Sequence, residues 1–293
     1  MSRFDSAWLA LRAQADTAAR SERLGATIGR ALESRDTVRA IDLACGTGAN
    51  ARYLMPILPP RQRWLLVDDD PALLGDTPEA MAQWASERGY ALRRGNDGLA
   101  LSAPSRSCDI ETRRVNLATA SDLTVLDGQD LVTGSALLDL VSAAWLSTVL
   151  SACRDRAAAV LFALSYDGRV VCTPRDPEDE VIRELVNRHQ QRDKGFGPAL
   201  GPGATDAAAA VLKSLGYLVE RAASDWVLPP EWATLQTRVI AGWAEAAAEM
   251  RDAPVGAVEA WATRRLAHVA RGVSQITVGH SDLAARLPNT ATN

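Results

Sequence analysis

Residues 40–50 read AIDLACGTGAN: an apolar run ends in a carboxylate, and small residues follow before a stretch able to form a helix. The carboxylate is Asp42, and the bare backbone runs through Ala44, Gly46 and Gly48 to Asn50. Glycines between a strand and a helix let a ligand lie against the main chain, at a helix N-terminus rich in free N–H groups. A dinucleotide site uses G-x-G-x-x-G for this purpose. Here no third glycine completes that pattern, and the acid precedes the glycines. A carboxylate at a strand tip suits a cationic ligand better than a pyrophosphate. A second apolar run, RWLLVDDD, also ends in acid, and its Asp68 lies 26 residues after Asp42, a normal span for one strand–helix–strand unit.

A second set of chemically able residues falls in TPRDPEDEVIRELVNRHQQRDKGFGPALGPG. Asp176 suits a helix N-cap, Pro177 the first helical position, and Glu178, Asp179 and Glu180 the positive helix end. Ile182, Leu185, Val186 and His189 then share one face, so His189 packs inward. A core histidine with satisfied nitrogens and a catalytic histidine both fit that position. Lys194 is one of only two lysines among 32 basic residues. The arginine and alanine bias reflects a GC-rich genome, against which a lysine is a rarer choice. Gly195, Phe196, Gly197 and Pro198 follow as a hinge-like loop, which makes residues 167–205 a lid-like insertion. Arg12, Asp16 and Arg20 repeat every four residues and share a helix face. They form either a solvated ion-pair ladder or the underside of a helix that covers a ligand.

The elements that position these groups alternate. Residues 3–33 read as helix. TVRAIDLA, RWLLVDDD, CDIETRRVNLA, DLVTGSALLDLV and AAAVLFALSY read as strands, with helices at NARYLMPILPP, PEAMAQWASERG and SAAWLSTVLSACR. Such alternation argues for a parallel sheet with both faces covered. Asp70 before Pro71 is a helix N-cap. GYLVERAASDW and SQITVGHSDL supply late strands, separated by a helical insertion over residues 229–272. In that insertion Trp232, Leu235, Val239 and Trp243 form a packing stripe, and Trp261 also falls at helical spacing. The closing NTATN is expected to fray.

Bulk properties narrow the function classes. With 293 residues, 47% hydrophobic and 23% charged, the chain has the make-up of a soluble globular protein. The net charge of −4, and arginine pairs at 93–94 and 113–114 without interleaved aromatics, argue against a nucleic-acid partner. No apolar run is long enough for a membrane span, and the N-terminus lacks the apolar core of a signal peptide. Cys45, Cys108, Cys153 and Cys172 have no metal-ligand spacing and read as reduced thiols, so a cytoplasmic protein without metal is expected.

The segment DLACGTG resembles the E/D-x-G-x-G-x-G motif of class I S-adenosylmethionine-dependent methyltransferases, with Ala44 in place of the first glycine. LLVDDDPALL is similar to the family's second motif, RRVNLA occupies its third-strand position, and LVTGSALLD resembles the fourth-strand motif. The resemblance covers residues 38–165 by motif. It implies an α/β doubly wound, seven-stranded, mostly parallel sheet in one catalytic domain, with residues 1–35 as a helical cover. The last strands would form an antiparallel pair, and the cofactor would lie at the switch point between strands one and four. It further implies that Asp42, Ala44, Gly46, Gly48 and Asn50 face the cofactor, and that Asp68 takes the ribose hydroxyls. Asp69, Asn116 and the Leu117 backbone would sit at the adenine, and Ser135 at the methionine end; if the N-terminal helix covers the cofactor, one arginine of its face, Arg20, meets the methionine carboxylate.

The activity implied is methyl transfer from S-adenosyl-L-methionine to a small-molecule acceptor. His189, Lys194, Tyr166 and Asp193 are the candidates for handling the acceptor and its proton. A nicotinamide-dependent oxidoreductase and a non-catalytic cofactor-binding protein are the alternatives.

Overall fold

The apolar runs that end in acid become neighbouring strands of one sheet, and the polar-faced segments between them become its helices. The computed structural model describes residues 5–95, 98–119, 123–253 and 256–288; the tail expected to fray lies outside the described residues. Asp5 caps α1, Ser6–Ala19, by accepting from the Trp8 N–H. Arg20 leaves helical geometry at φ −63° and ψ 145°, and Ser21 caps α2, Glu22–Ala31. The single helix expected over residues 3–33 is therefore two, because a good capping serine restarts the chain in a new direction.

The first half then runs β1 Val38–Leu43, α3 Ala49–Leu54, β2 Arg61–Asp68, α4 Pro71–Glu87, β3 Ala91–Gly95, β4 Gly98–Ala103, β5 Arg106–Arg114 and β6 Leu131–Ser135. Asp70 caps α4 through the Ala72 N–H, with Pro71 at the first position, as the sequence predicts. The second half runs α5 Ala143–Asp155, β7 Ala159–Thr173, α6 Asp179–Gln190, α7 Ala204–Ser214, β8 Leu218–Ala223, β9 Trp226–Leu228, α8 Ala233–Ala248, α9 Ala257–Ala270 and β10 Gln275–Arg286. The cap expected at Asp176 lies just before the helix instead: α6 begins at Asp179, and the Asp176 carboxylate accepts from the Glu178 N–H in the preceding turn.

Sheet order is β3-β4-β5-β2-β1-β6-β7-β10-β8, with β9 added beside β10. From β5 through β7 all pairings are parallel, and β10 is antiparallel to β7, β8 and β9. This is the doubly wound arrangement implied by the methyltransferase resemblance. The order reverses between β1 and β6, and the late strands form an antiparallel set. Three strands exceed the expected seven. The hairpin β3–β4 continues the sheet beyond β5; β3 is short and mostly exposed, and β4 alternates only over Leu99 and Leu101, so the pair gives little periodic signal. The third is β9, a three-residue strand too short to read.

Two apolar layers cover the faces of the sheet. One holds Ile41, Val132, Leu150, Phe162 and Leu212. The other holds Leu24, Ile28, Leu54, Trp64 and Met81. A third core stands apart from both. β7 does not stop at Tyr166, as the apolar run suggests, but continues to Thr173 paired with the first half of β10. On this overhang pack α6, α8 and α9, with Ile182, Val186, Ile240, Trp261 and Ile276 inside. Each such side chain contributes about 1.5–3 kcal/mol by leaving water. The expected tryptophan stripe is thus a packing stripe, and the two insertions meet in one cap over the C-terminal ends of the parallel strands.

Candidate functional site

The turn after β1 adopts left-handed backbone three times, at Ala44 (φ 52°), Gly46 (φ 55°) and Gly48 (φ 79°). Glycine takes this geometry freely and alanine does not, so Ala44 is a strained residue at the place where the resemblance expects glycine. A Cβ on Gly46 would come within 2.8 Å of Leu9 Cδ1, so α1 lies over this turn. Asp68 stands at the tip of the neighbouring strand β2. Its Oδ2 accepts from the Gly46 N–H at 2.9 Å and its Oδ1 from the Asp70 N–H at 2.9 Å. The carboxylate therefore clasps the turn and keeps further lone pairs for a ligand donor.

Beneath the turn lies a buried polar group. Asp42 is wholly buried, and its Oδ1 accepts from Asn50 Nδ2 at 2.7 Å. Asn50 Nδ2 also reaches Thr133 Oγ1 at 3.1 Å on β6, and Asn50 Oδ1 accepts from Arg20. The Arg20 guanidinium lies 4.1 Å from the centre of the Tyr53 ring. This network joins the α1–α2 break to β1 and β6 across the switch point. Asp42 Oδ2 and Arg20 Nε are buried without a hydrogen-bond partner. Burial raises the Asp42 carboxyl to about 7, against the pull of Asn50 and Arg20. Burial likewise lowers the Arg20 guanidinium from its ordinary value, opposed most by Asp282. Unpaired buried polar atoms are destabilising unless something else satisfies them.

The rim is more open. Asp69 is exposed and accepts from Arg114 Nε at 3.2 Å and from Asn116 Nδ2 at 3.0 Å. Asn116 Oδ1 accepts from the Ala118 and Thr119 N–H groups, so both ends of this amide are engaged. The Leu117 carbonyl accepts from Trp145 Nε1 at 2.7 Å, and Ser135 is half-buried at the end of β6. Asp69 and Asn116 thus come together beyond the tip of β2, at one lip of the crevice.

The cap carries the other candidates. His189 is held from two sides, by Glu249 Oε2 at 3.1 Å and Lys194 Nζ at 3.3 Å. Burial, then Lys194, lowers its pKa. Asp193 is exposed, and its Oδ1 accepts from the Gly195 and Gly197 N–H groups, so this carboxylate shapes the loop. That loop is fastened below: Leu200 N–H donates to the Val141 carbonyl, and Phe196 packs edge-on against Trp145. Tyr166 is buried and its hydroxyl donates to Asn187 Oδ1 at 2.7 Å; burial raises its pKa. Tyr166 packs near His280, which burial lowers to about 4.

One residue of this region escapes sequence reading. Asp139 lies in the short turn Leu138–Leu140 after β6, is 6% exposed, and has a buried Oδ1 without partner. Burial raises it to about 6, while the backbone at Asp139 and Tyr166, and the cations Arg12 and Lys194, pull it down. The available signal was an acid inside the otherwise apolar run ALLDLV. Arg12 itself is buried, paired with Asp16 at 2.8 Å, and Trp226 Nε1 donates to Asp16. The solvated-ladder reading of the α1 face therefore gives way to a face buried under the cap, because α1 packs on β9 instead of standing in water.

Among the described residues no helix is long and apolar enough to cross a membrane, and no cluster has the make-up of a metal site. No protein-family model matches the chain, and no curated protein matches it. Solved structures do. A putative methyltransferase from Bacillus halodurans is 13% identical with a TM-score of 0.48, covering 90% of this chain and 99% of that one. A protein from Thiobacillus denitrificans described as a SAM-dependent methyltransferase in complex with S-adenosyl-L-homocysteine is 13% identical with a TM-score of 0.45, covering 97% and 99%. A Bacillus subtilis protein is 12% identical with a TM-score of 0.47, covering 92% and 100%.

Proposed function

We propose that the protein is a methyltransferase that uses S-adenosyl-L-methionine and acts on a small molecule. The observation that carries this reading is the pairing of a left-handed turn with a buried, half-satisfied charge network beneath it. Asp42 Oδ2 and Arg20 Nε lack partners in the protein alone. An amino-acid head group, with one ammonium and one carboxylate, supplies the complementary donor and acceptor. A pyrophosphate would instead bring negative charge to a buried carboxylate, which disfavours the nicotinamide alternative. In this reading Asp68 at the tip of β2 takes the ribose, and Asp69, Asn116 and Leu117 take the base at the lip. Ser135 and the strained Ala136 (φ 53°) border the methionine end.

The bound cofactor supplies an electrophilic methyl carbon. The chain then has to orient an acceptor and exclude water. The cap does this from above, with Tyr166 and Lys194 on its inner side and His189 holding Lys194. The net charge of −4 favours a small acceptor over nucleic acid. Calorimetry tests the assignment: S-adenosylmethionine and S-adenosylhomocysteine should bind without added metal, and NAD should not. Tight NAD binding with no response to S-adenosylmethionine would overturn it.

A further inference from the structure

Asp139 holds the buried, unpartnered carboxylate oxygen on the acceptor side of the crevice. Its turn follows β6 directly, beside the strand end where Ser135 and Ala136 sit. The turn packs on β7, on α7 and on the turn Gly201–Gly203, and the charged and titratable groups that act on the carboxylate or stand behind those that do come from four segments. Arg12, itself paired with Asp16, comes from α1; Tyr166 from β7; Lys194, backed by His189, from the loop after α6; His280, from β10, faces Arg12 and Tyr166. None of these makes a hydrogen bond to Oδ1. A buried carboxylate with one oxygen left over in this way, between a strand tip and a cap, suits a ligand that brings positive charge or a transferable proton.

Resting on the methyltransferase reading above, we propose that Asp139 faces the sulfonium end of bound S-adenosylmethionine and takes the proton of the methyl acceptor. In the step, a lone pair of the acceptor forms the new bond to the methyl carbon, and the electrons of the carbon–sulfur bond remain on sulfur. The acceptor's O–H or N–H proton passes to the Asp139 carboxylate. The two events assist each other. While sulfur is cationic it holds Asp139 ionised and ready to accept. Once sulfur is neutral that attraction is gone, and the carboxyl passes its proton on to solvent as product leaves. Lys194 and Arg12 favour its ionised form.

The cofactor pair isolates this coupling without a known acceptor. Both S-adenosylmethionine and S-adenosylhomocysteine carry the same amino-acid head group, so proton changes at Asp42 are common to both. Only the first carries the sulfonium. Isothermal titration in buffers of different ionisation enthalpy counts the protons released on binding. Near pH 6 the wild-type protein should release roughly 0.5 proton more with S-adenosylmethionine than with S-adenosylhomocysteine, as a half-protonated carboxyl becomes fully ionised. The difference should vanish by about pH 8, where Asp139 is already ionised. Asp139→Asn should abolish it while leaving S-adenosylhomocysteine affinity within about twofold. Equal proton counts in the wild type, or a difference that survives in Asp139→Asn, would overturn the assignment to Asp139. If the variant does not fold, the pH profile of the wild type alone decides. Failure of both ligands to bind would instead overturn the methyltransferase reading itself.

Discussion

Two regions of the molecule bury charge, and they do so differently. In the cap, Arg265 is wholly buried, and its guanidinium donates to Asp179 and to the Pro174 carbonyl. Trp261 Nε1 adds a bond to Asp179 at 2.9 Å, and the adjacent Arg264 grips Asp176. Asp176 is thereby held well below the usual carboxylate range, first by its bonds to Arg264. Under the glycine turn, by contrast, Asp42 and Arg20 are buried with atoms left over. A closed network stabilises the protein that contains it; an open one stabilises the complex that completes it. The cap pairs are therefore architecture, joining α6 to α9, whereas the network under the turn is left open in the way a binding site is.

The strongest test of the contrast is in the cap. Asp179→Ala leaves Arg265 buried without its main partner and should lower stability by about 3–5 kcal/mol in urea unfolding. A loss below 1 kcal/mol would erase the distinction between the two regions.

Next comes pH. Asp42 has its folded pKa raised from 3.8 to about 7, so between those values the folded state holds a proton that the unfolded state has lost. Stability of the free protein should therefore fall as pH rises from about 4 to 7, at up to about 1.4 kcal/mol per pH unit. Asp139 adds the same sign up to about 6. Asp42→Asn should flatten much of this slope. Binding should show the opposite trend: S-adenosylhomocysteine, whose ammonium favours the ionised Asp42, should bind more tightly as pH rises to about 7. A pH-independent affinity in the wild type would remove Asp42 from the head-group site.

A smaller effect is expected at the lip. Asp68→Ala should weaken S-adenosylmethionine binding by about 1.5–3 kcal/mol, the scale of hydrogen bonds to a charged group. Unchanged affinity in a folded variant would move the ribose elsewhere. The smallest is expected at Asp193. Removing its carboxylate frees two loop N–H groups in water, so Asp193→Ala should cost about 0.5–1.5 kcal/mol and leave cofactor affinity unchanged. A large loss of affinity would give Asp193 a part in binding that its geometry does not show.

The cofactor side was more legible than the acceptor side. Turn chemistry and the acids at two strand tips are local, so Asp42, Gly46, Gly48 and Asp68 fall together in the structure as their spacing implies. His189 was correctly placed on the inward face of its helix, because 3.6-residue periodicity reports which side packs. Its partner Glu249, sixty residues away, left no trace in that periodicity. The hairpin β3–β4 was invisible because its mostly exposed β3 lacks a regular apolar alternation.

Local sequence determined what each segment prefers: the periodic faces, the capping serines and aspartates, and the glycines that permit a left-handed turn. These depend on neighbours within one or two turns of chain, where side-chain sterics and backbone hydrogen bonding act directly. Only the tertiary structure decided that β7 and β10 run on past the sheet and carry a third core, and that α6 and α9 are pinned together there. It alone decided that Asp139 lies in low dielectric between α1, β7 and the loop after α6. Desolvation is a property of everything that surrounds a group, and those surroundings come from segments more than a hundred residues apart. An aspartate in ALLDLV is one letter in an apolar run until Arg12 and Lys194 are folded against it.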